Sequence, residues 1–235
     1  MRFLSFVILT FFVNLLFAQG TEFQSNIKSD CFSIDSTFKN HTIDSLKQRI
    51  KAEPQLTINY FLLGNVQLFS ERKNGLAGLK SYVKNIKEAI LNYNQAIKLD
   101  SNFAVAYLNR GIAYNILYPK RENAIIDYSK SILVDSLNHL AYLYRGANHL
   151  LNKNFELAIL DYNKVIKLGY PSPCIYVGLA FAKSKLGKNL EACKDLKMSL
   201  KLDSKFPENI LSKYSNSARN IYLKRFKKFA KKICK

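Results

Sequence analysis

The sequence predicts an all-α protein, a right-handed superhelical solenoid of antiparallel helix hairpins. Three observations lead there. Trp is absent and Gly (9) and Pro (5) are sparse, whereas a sandwich or barrel needs a breaker about every ten residues. Small residues followed by aromatics return at a fixed interval along the chain, the mark of a repeat architecture. The 235 residues are 48% hydrophobic, enough for a sizeable core.

Taken in order, residues 1–18 hold one cation, Arg2, before the apolar run Phe3 to Phe17 and the small Ala18. The run falls short of the roughly 20 apolar residues a spanning helix needs and contains Asn14, so it is expected to be a signal peptide cut after Ala18. The polar, Ser- and Asn-rich stretch 19–41 is expected to be a flexible leader. Residues 42–56 carry Ile43, Leu46 and Ile50 at helical spacing and then Pro54, which suits an N-terminal helix standing as a half-repeat.

The repeats follow. Ala124 with Tyr128, Ala158 with Tyr162 and Ala192 with Leu196 recur every 34 residues, and Ala89 with Tyr93 lies 35 residues before the first. Upstream of each alanine an aromatic begins another helix: Tyr60, Tyr107, Tyr142 and Tyr176. Small residues at the eighth and twentieth positions let two antiparallel helices approach closely, while larger apolar residues fill the space between hairpins. The pattern resembles the tetratricopeptide repeat (TPR), in which an aromatic, Gly-x-x-Tyr and Ala-x-x-x-aromatic span 34 positions. The resemblance covers about 57 to 206 as four units: 57–103, 104–138, 139–172 and 173–206.

Each unit departs from the pattern somewhere. The first has about 13 extra residues near 70–85, expected to lengthen the connection between its helices. The fourth has Ala180 for the glycine and Leu196 for the second-helix tyrosine. Residues 207–235 carry apolar residues at helical spacing, among them Leu211, Tyr214, Phe229 and Ile233, and are expected to form a capping helix over the last hairpin.

A search for chemistry finds no catalytic constellation. His41, His139 and His149 have no Cys or carboxylate at a ligand-like or triad-like interval, and Gly64, Gly111 and Gly146 sit inside helices rather than in a phosphate loop. No metal site and no cofactor is expected. Arg110 and Arg145 precede the packing glycines, and Asp127 and Asp161 follow 17 and 16 residues later, which favours ion pairs within each hairpin. A non-catalytic scaffold for a protein or peptide partner is therefore the expected function.

The resemblance to tetratricopeptide proteins implies where such a partner would sit. Their concave surface is lined by first-helix residues near positions two, five and nine. Carried across, these are Phe61 and Asn65; Val105, Leu108, Asn109 and Ile112; Leu140, Leu143 and Ala147; and Val177 and Phe181, with Ile58 and Cys174 at second positions. The groove is apolar. Only Asn65 and Asn109 are of the kind found in carboxylate-clamping members, so no such clamp is expected. An apolar groove needs a cover. That cover could be a partner's segment, the chain's own terminal segment or a second copy of the chain, making a homo-oligomer.

The formal charge of +19 favours acidic partners or an anionic surface. From 208 to 235 nine Lys or Arg face Glu208 alone, with Lys224, Arg225, Lys227, Lys228, Lys231 and Lys232 forming a basic surface. That surface allows a second function, attachment to anionic lipid or polysaccharide. Nothing in the sequence reads as a nucleic-acid module. Export, to the periplasm or outside the cell, would permit disulfides among Cys31, Cys174, Cys193 and Cys234. Cys174 and Cys193 are expected to lie about 13 Å apart along their hairpin, beyond reach, leaving Cys31 with Cys234 as the pairing to test.

Overall fold

A computed structural model describes residues 42–70, 75–117, 121–205 and 216–235. The proposed signal peptide, the leader with Cys31, and Leu211 and Tyr214 lie outside the described residues. Regular structure among the described residues is helical throughout, with ten helices and no strand. They are α1 (Ile43–Ala52), α2 (Thr57–Leu68), α3 (Gly75–Leu99), α4 (Ala104–Leu117), α5 (Glu122–Val134), α6 (His139–Leu151), α7 (Phe155–Lys167), α8 (Pro173–Lys185), α9 (Asn189–Leu202) and α10 (Asn216–Ile233).

Local chemistry starts and stops these helices. At the start of α1 the Thr42 hydroxyl accepts the Ser45 N–H at 3.1 Å, satisfying one of the unpaired donors of a helix N-terminus. After α3, α5 and α9 the chain turns in the same way. Asp100, Asp135 and Asp203 each accept, on Oδ1, the N–H two residues on, at 2.9, 3.0 and 2.9 Å. After α7 the corresponding residue is Gly169, whose φ of +92° takes the left-handed conformation that suits glycine.

The extra residues of the first repeat correct one expectation. They do not form a long connection: Gly75–Leu99 is one continuous helix of 25 residues, so much of the insertion lengthens the second helix instead.

The chain divides into two compact units, one running to Arg145 and the other from Gly146 onward, with the boundary inside α6. In the first, a core joins Leu68, Ile86, Tyr93, Ala106, Leu108, Ala124, Tyr128 and Tyr144. Its fully buried tyrosines lie against glycines. A Cβ added to Gly64 would come within 2.7 Å of the Tyr93 ring, and one added to Gly111 within 2.6 Å of the Tyr128 ring. Close helix approach here depends on the missing side chain.

In the second unit Tyr162 lies between two glycines. Added Cβ atoms would meet its ring at 3.2 Å from Gly146 and 2.7 Å from Gly178. The fourth hairpin uses another solution: Ala180 and Leu196 are both buried, in a cluster with Ala192 and Val177. A leucine in place of the broad tyrosine ring goes with an alanine in place of the glycine.

Candidate binding surfaces

The first-helix face is mostly covered. Of the eleven side chains assigned to the groove, Val105 alone is open, at 42% exposure, and Leu140 is half-buried. Phe61, Asn65, Leu108, Asn109, Ile112, Leu143, Ala147, Val177 and Phe181 are all buried. The apolar groove expected from the sequence is therefore not open at most of these residues. Position, rather than composition, separates the open from the covered. The second positions of α2 and α4, Ile58 and Val105, stay accessible. The fifth and ninth positions, exemplified by Leu108 and Ile112, belong to the core of the first unit.

Beneath that edge lies a polar step. The Asn65 Oδ1 accepts from the Tyr93 hydroxyl at 2.7 Å and from Asn109 Nδ2 at 2.8 Å, bridging α2, α3 and α4. The Asn65 Nδ2 has no acceptor although Asn65 is fully buried.

The polar pairs across each hairpin follow a rule that the sequence only half reveals. In the second hairpin Arg110 binds Asp127 through two bonds, Nε to Oδ2 at 2.8 Å and Nη2 to Oδ1 at 2.7 Å. Burial raises the Asp127 carboxyl from its usual range, with Arg110 pulling against it. A third contact of Arg110, Nη1 to Asn94 Oδ1 at 2.7 Å, ties the hairpin to α3. Arg145 makes an analogous contact to the preceding hairpin, Nη1 to Ser129 Oγ at 3.2 Å, and lies over the Tyr142 ring.

Where the arginine is missing, the partner comes from one turn later on the first helix. Leu63 and Leu179 replace it, and Gln67 and Lys183 take over four residues on. Gln67 Oε1 accepts from Asn92 Nδ2 at 2.8 Å, and Lys183 Nζ lies 2.8 Å from Asp195 and 3.6 Å from Glu191. His149 occupies that same later position in the third hairpin, with Nε2 4.0 Å from the Asp161 carboxylate. These groups are engaged with one another, and no cluster of His, Cys, Asp or Glu fit for a metal ion exists among the described residues.

At the C-terminal end the chain covers its own first-helix face. Helix α10 packs Phe226, Phe229, Ala230 and Ile233 against a cluster that includes Val177, Ala180, Ala192 and Leu196. The Phe229 ring lies 6.1 Å from that of Phe181. A disulfide between Cys193 and Cys234, with Cα atoms 5.0 Å apart, fastens the end of α10 to α9. This corrects the pairing expected from the sequence: Cys234 is joined to Cys193 rather than to Cys31. Cys174 stands outside the bond, half-buried beside the same apolar cluster.

With that edge docked, the opposite side of α10 is cationic. Lys224, Lys227, Lys228, Lys231, Lys232 and Lys235 are all exposed. Arg225, assigned to the same basic surface from the sequence, is half-buried. No helix among the described residues is long and apolar enough to cross a membrane.

Paired antiparallel helices, a small residue under each ring and one hairpin after another define a helical-repeat scaffold. Comparison with known proteins names the repeat. The TPR repeat family matches residues 84–115, a window that joins the second helix of the first hairpin to the first helix of the next. Similar folds occur in MamA (TM-score 0.57, 23% identity, covering 69% of this chain and 87% of that one). They occur also in YrrB, described as a TPR protein with an unusual peptide-binding site (TM-score 0.58, 17% identity, 82% and 90% covered). A third is a thermophilic TPR protein of Thermus thermophilus (TM-score 0.51, 18% identity, 78% and 88% covered). No curated protein matches the chain. Residues 84–115 thus match the TPR repeat, and the likeness to these solved structures shows that the chain shares their helical-repeat fold.

Proposed function

We propose that this chain is an exported, non-catalytic scaffold that binds a protein or peptide partner along the first-helix face of its N-terminal unit. The observation that carries the proposal is the pair Ile58 and Val105, at 38% and 42% exposure, at the same register position on α2 and α4. An apolar edge on two helices bridged by the Asn65 to Asn109 bond suits an amphipathic helix or extended segment. In the C-terminal unit α10 already occupies the equivalent face, so a partner is assigned to the N-terminal unit. Export to the periplasm or the outside is supported by the apolar run after Arg2 and by the Cys193–Cys234 bond, which persists in an oxidising compartment.

Affinity capture with the full chain tests this reading. Val105→Asp and Ile58→Asp change exposed positions, so the fold should survive and the captured partner should be lost. Recovery of the same partner by wild type and by the double variant would sink the proposal.

A second reading rests on a different observation, the open lysine face of α10. It makes the chain an envelope- or surface-associated protein that attaches to anionic lipid or polysaccharide.

A further inference from the structure

We propose that the lysine face of α10, extended by Lys153 and Lys185, is a docking surface for a linear acidic polysaccharide. The inference rests on the second reading above and chooses between its two anionic partners.

The placement of the lysines is the first argument. Lys224, Lys227, Lys228, Lys231 and Lys232 follow one another at steps of three, one, three and one, which keeps them on one side of α10, and Lys235 follows just past its end. The five on the helix span about 12 Å at 1.5 Å per residue. From 216 to 235 the sequence has no Asp or Glu to neutralise them. Two further exposed lysines stand on other elements. Lys153 stands in the turn after α6 and Lys185 at the end of α8, where it lies over the Phe181 ring at 5.2 Å. The Lys185 ammonium is held below its ordinary value, chiefly by burial and then by the charges of Lys232 and Lys153. Like charges lined along one side of α10 favour an anionic partner.

The docked edge of α10 is the second argument, because it selects the polymer over the bilayer. A basic amphipathic helix binds lipid by sinking its apolar edge among the acyl chains. Here Phe226, Phe229, Ala230 and Ile233 are packed on the fourth hairpin, and the disulfide holds the helix end there. Lipid would meet only the ammonium heads. Nucleic acid is disfavoured by the same arrangement, since non-specific strand binding uses aromatic platforms for bases and Arg forks for phosphates. Both described rings of α10, Phe226 and Phe229, pack on the fourth hairpin, and Arg225 is half-buried. What that face offers is repeated point charge, which suits a chain bearing regularly spaced carboxylates or sulfates.

Three probes and two variants test the proposal on the full chain. The probes are a fluorescent sulfated glycan dodecamer, single-stranded DNA of equal charge, and phosphatidylglycerol vesicles. The variants are Lys227→Gln with Lys228→Gln and Lys231→Gln, and separately Lys153→Gln with Lys185→Gln. All five positions are exposed, so helicity should be unchanged by circular dichroism. The glycan should bind most tightly and weaken steeply with salt, the helix triple should cost about 30-fold and the off-helix pair about tenfold. Equal or tighter binding of vesicles or DNA overturns the choice of polysaccharide while leaving an anionic-surface role standing. Failure of all three probes ends both. Full glycan affinity in the Lys153 and Lys185 variant overturns the extended site.

Discussion

Tyr93, Tyr128 and Tyr162 each lay a ring against a glycine, and that contact sets how near the paired helices come. Gly111→Ala should therefore cost about 1–3 kcal/mol, read as a lower urea midpoint, because the new methyl meets the Tyr128 ring rather than the end of a flexible side chain. In the fourth hairpin Leu196→Tyr should destabilise alone and recover in part with Ala180→Gly, and a double-mutant cycle without coupling would contradict the packing. His139 carries a pH prediction. Burial lowers its folded pKa below the ordinary 6.5, so the folded state binds fewer protons than the unfolded one. Stability from this residue is present above 6.5 and lost as pH falls through it; His139→Gln should flatten that part of the profile, and an unchanged slope would contradict it. The tyrosines and glycines were legible because a 34-residue period repeats them. The exchange of Arg110-type partners for Gln67 and Lys183 was not, because alignment matches positions, whereas a side chain one turn away can reach the same acceptor.

Single elements show where sequence reasoning ended. The helical spacing of Ile43, Leu46 and Ile50 did mark a helix, and Thr42 caps it. The extra residues of the first repeat read as a connection because insertions settle between helices, yet nothing from Gly75 onward breaks a helix until Asp100. The Cys193–Cys234 bond could not be foreseen because the path of the last helix over hairpin four is a tertiary fact. It closes a separation of 41 residues, so Cys234→Ser should lower stability by about 4 kcal/mol in non-reducing urea titrations. Amide exchange should quicken first in α10. Unchanged stability, or peptide mapping that links Cys234 elsewhere, would contradict the assignment.

At the scale of the whole molecule, the composition suggests two surfaces, and the structure shows which of their described residues are exposed. The charge of +19 includes an exposed lysine face beside which Arg225 is half-buried. The apolar first helices are largely occupied with packing, because residues at the fifth and ninth positions serve the core, a distinction that hydrophobicity alone cannot make. Much of the apolar surface left open lies on second helices: Leu91, Ile126 and Leu133 in the first unit, and Leu157, Leu160 and Leu190 in the second. Exposed apolar residues are in themselves ordinary on a folded surface. The central claim is that a partner uses the first-helix edge instead. Amide-exchange footprinting of the chain with its captured partner tests it most directly: protection over α2 and α4, around Ile58 and Val105, is the predicted result, and protection over α3 and α5, around Leu91, Ile126 and Leu133, would contradict it.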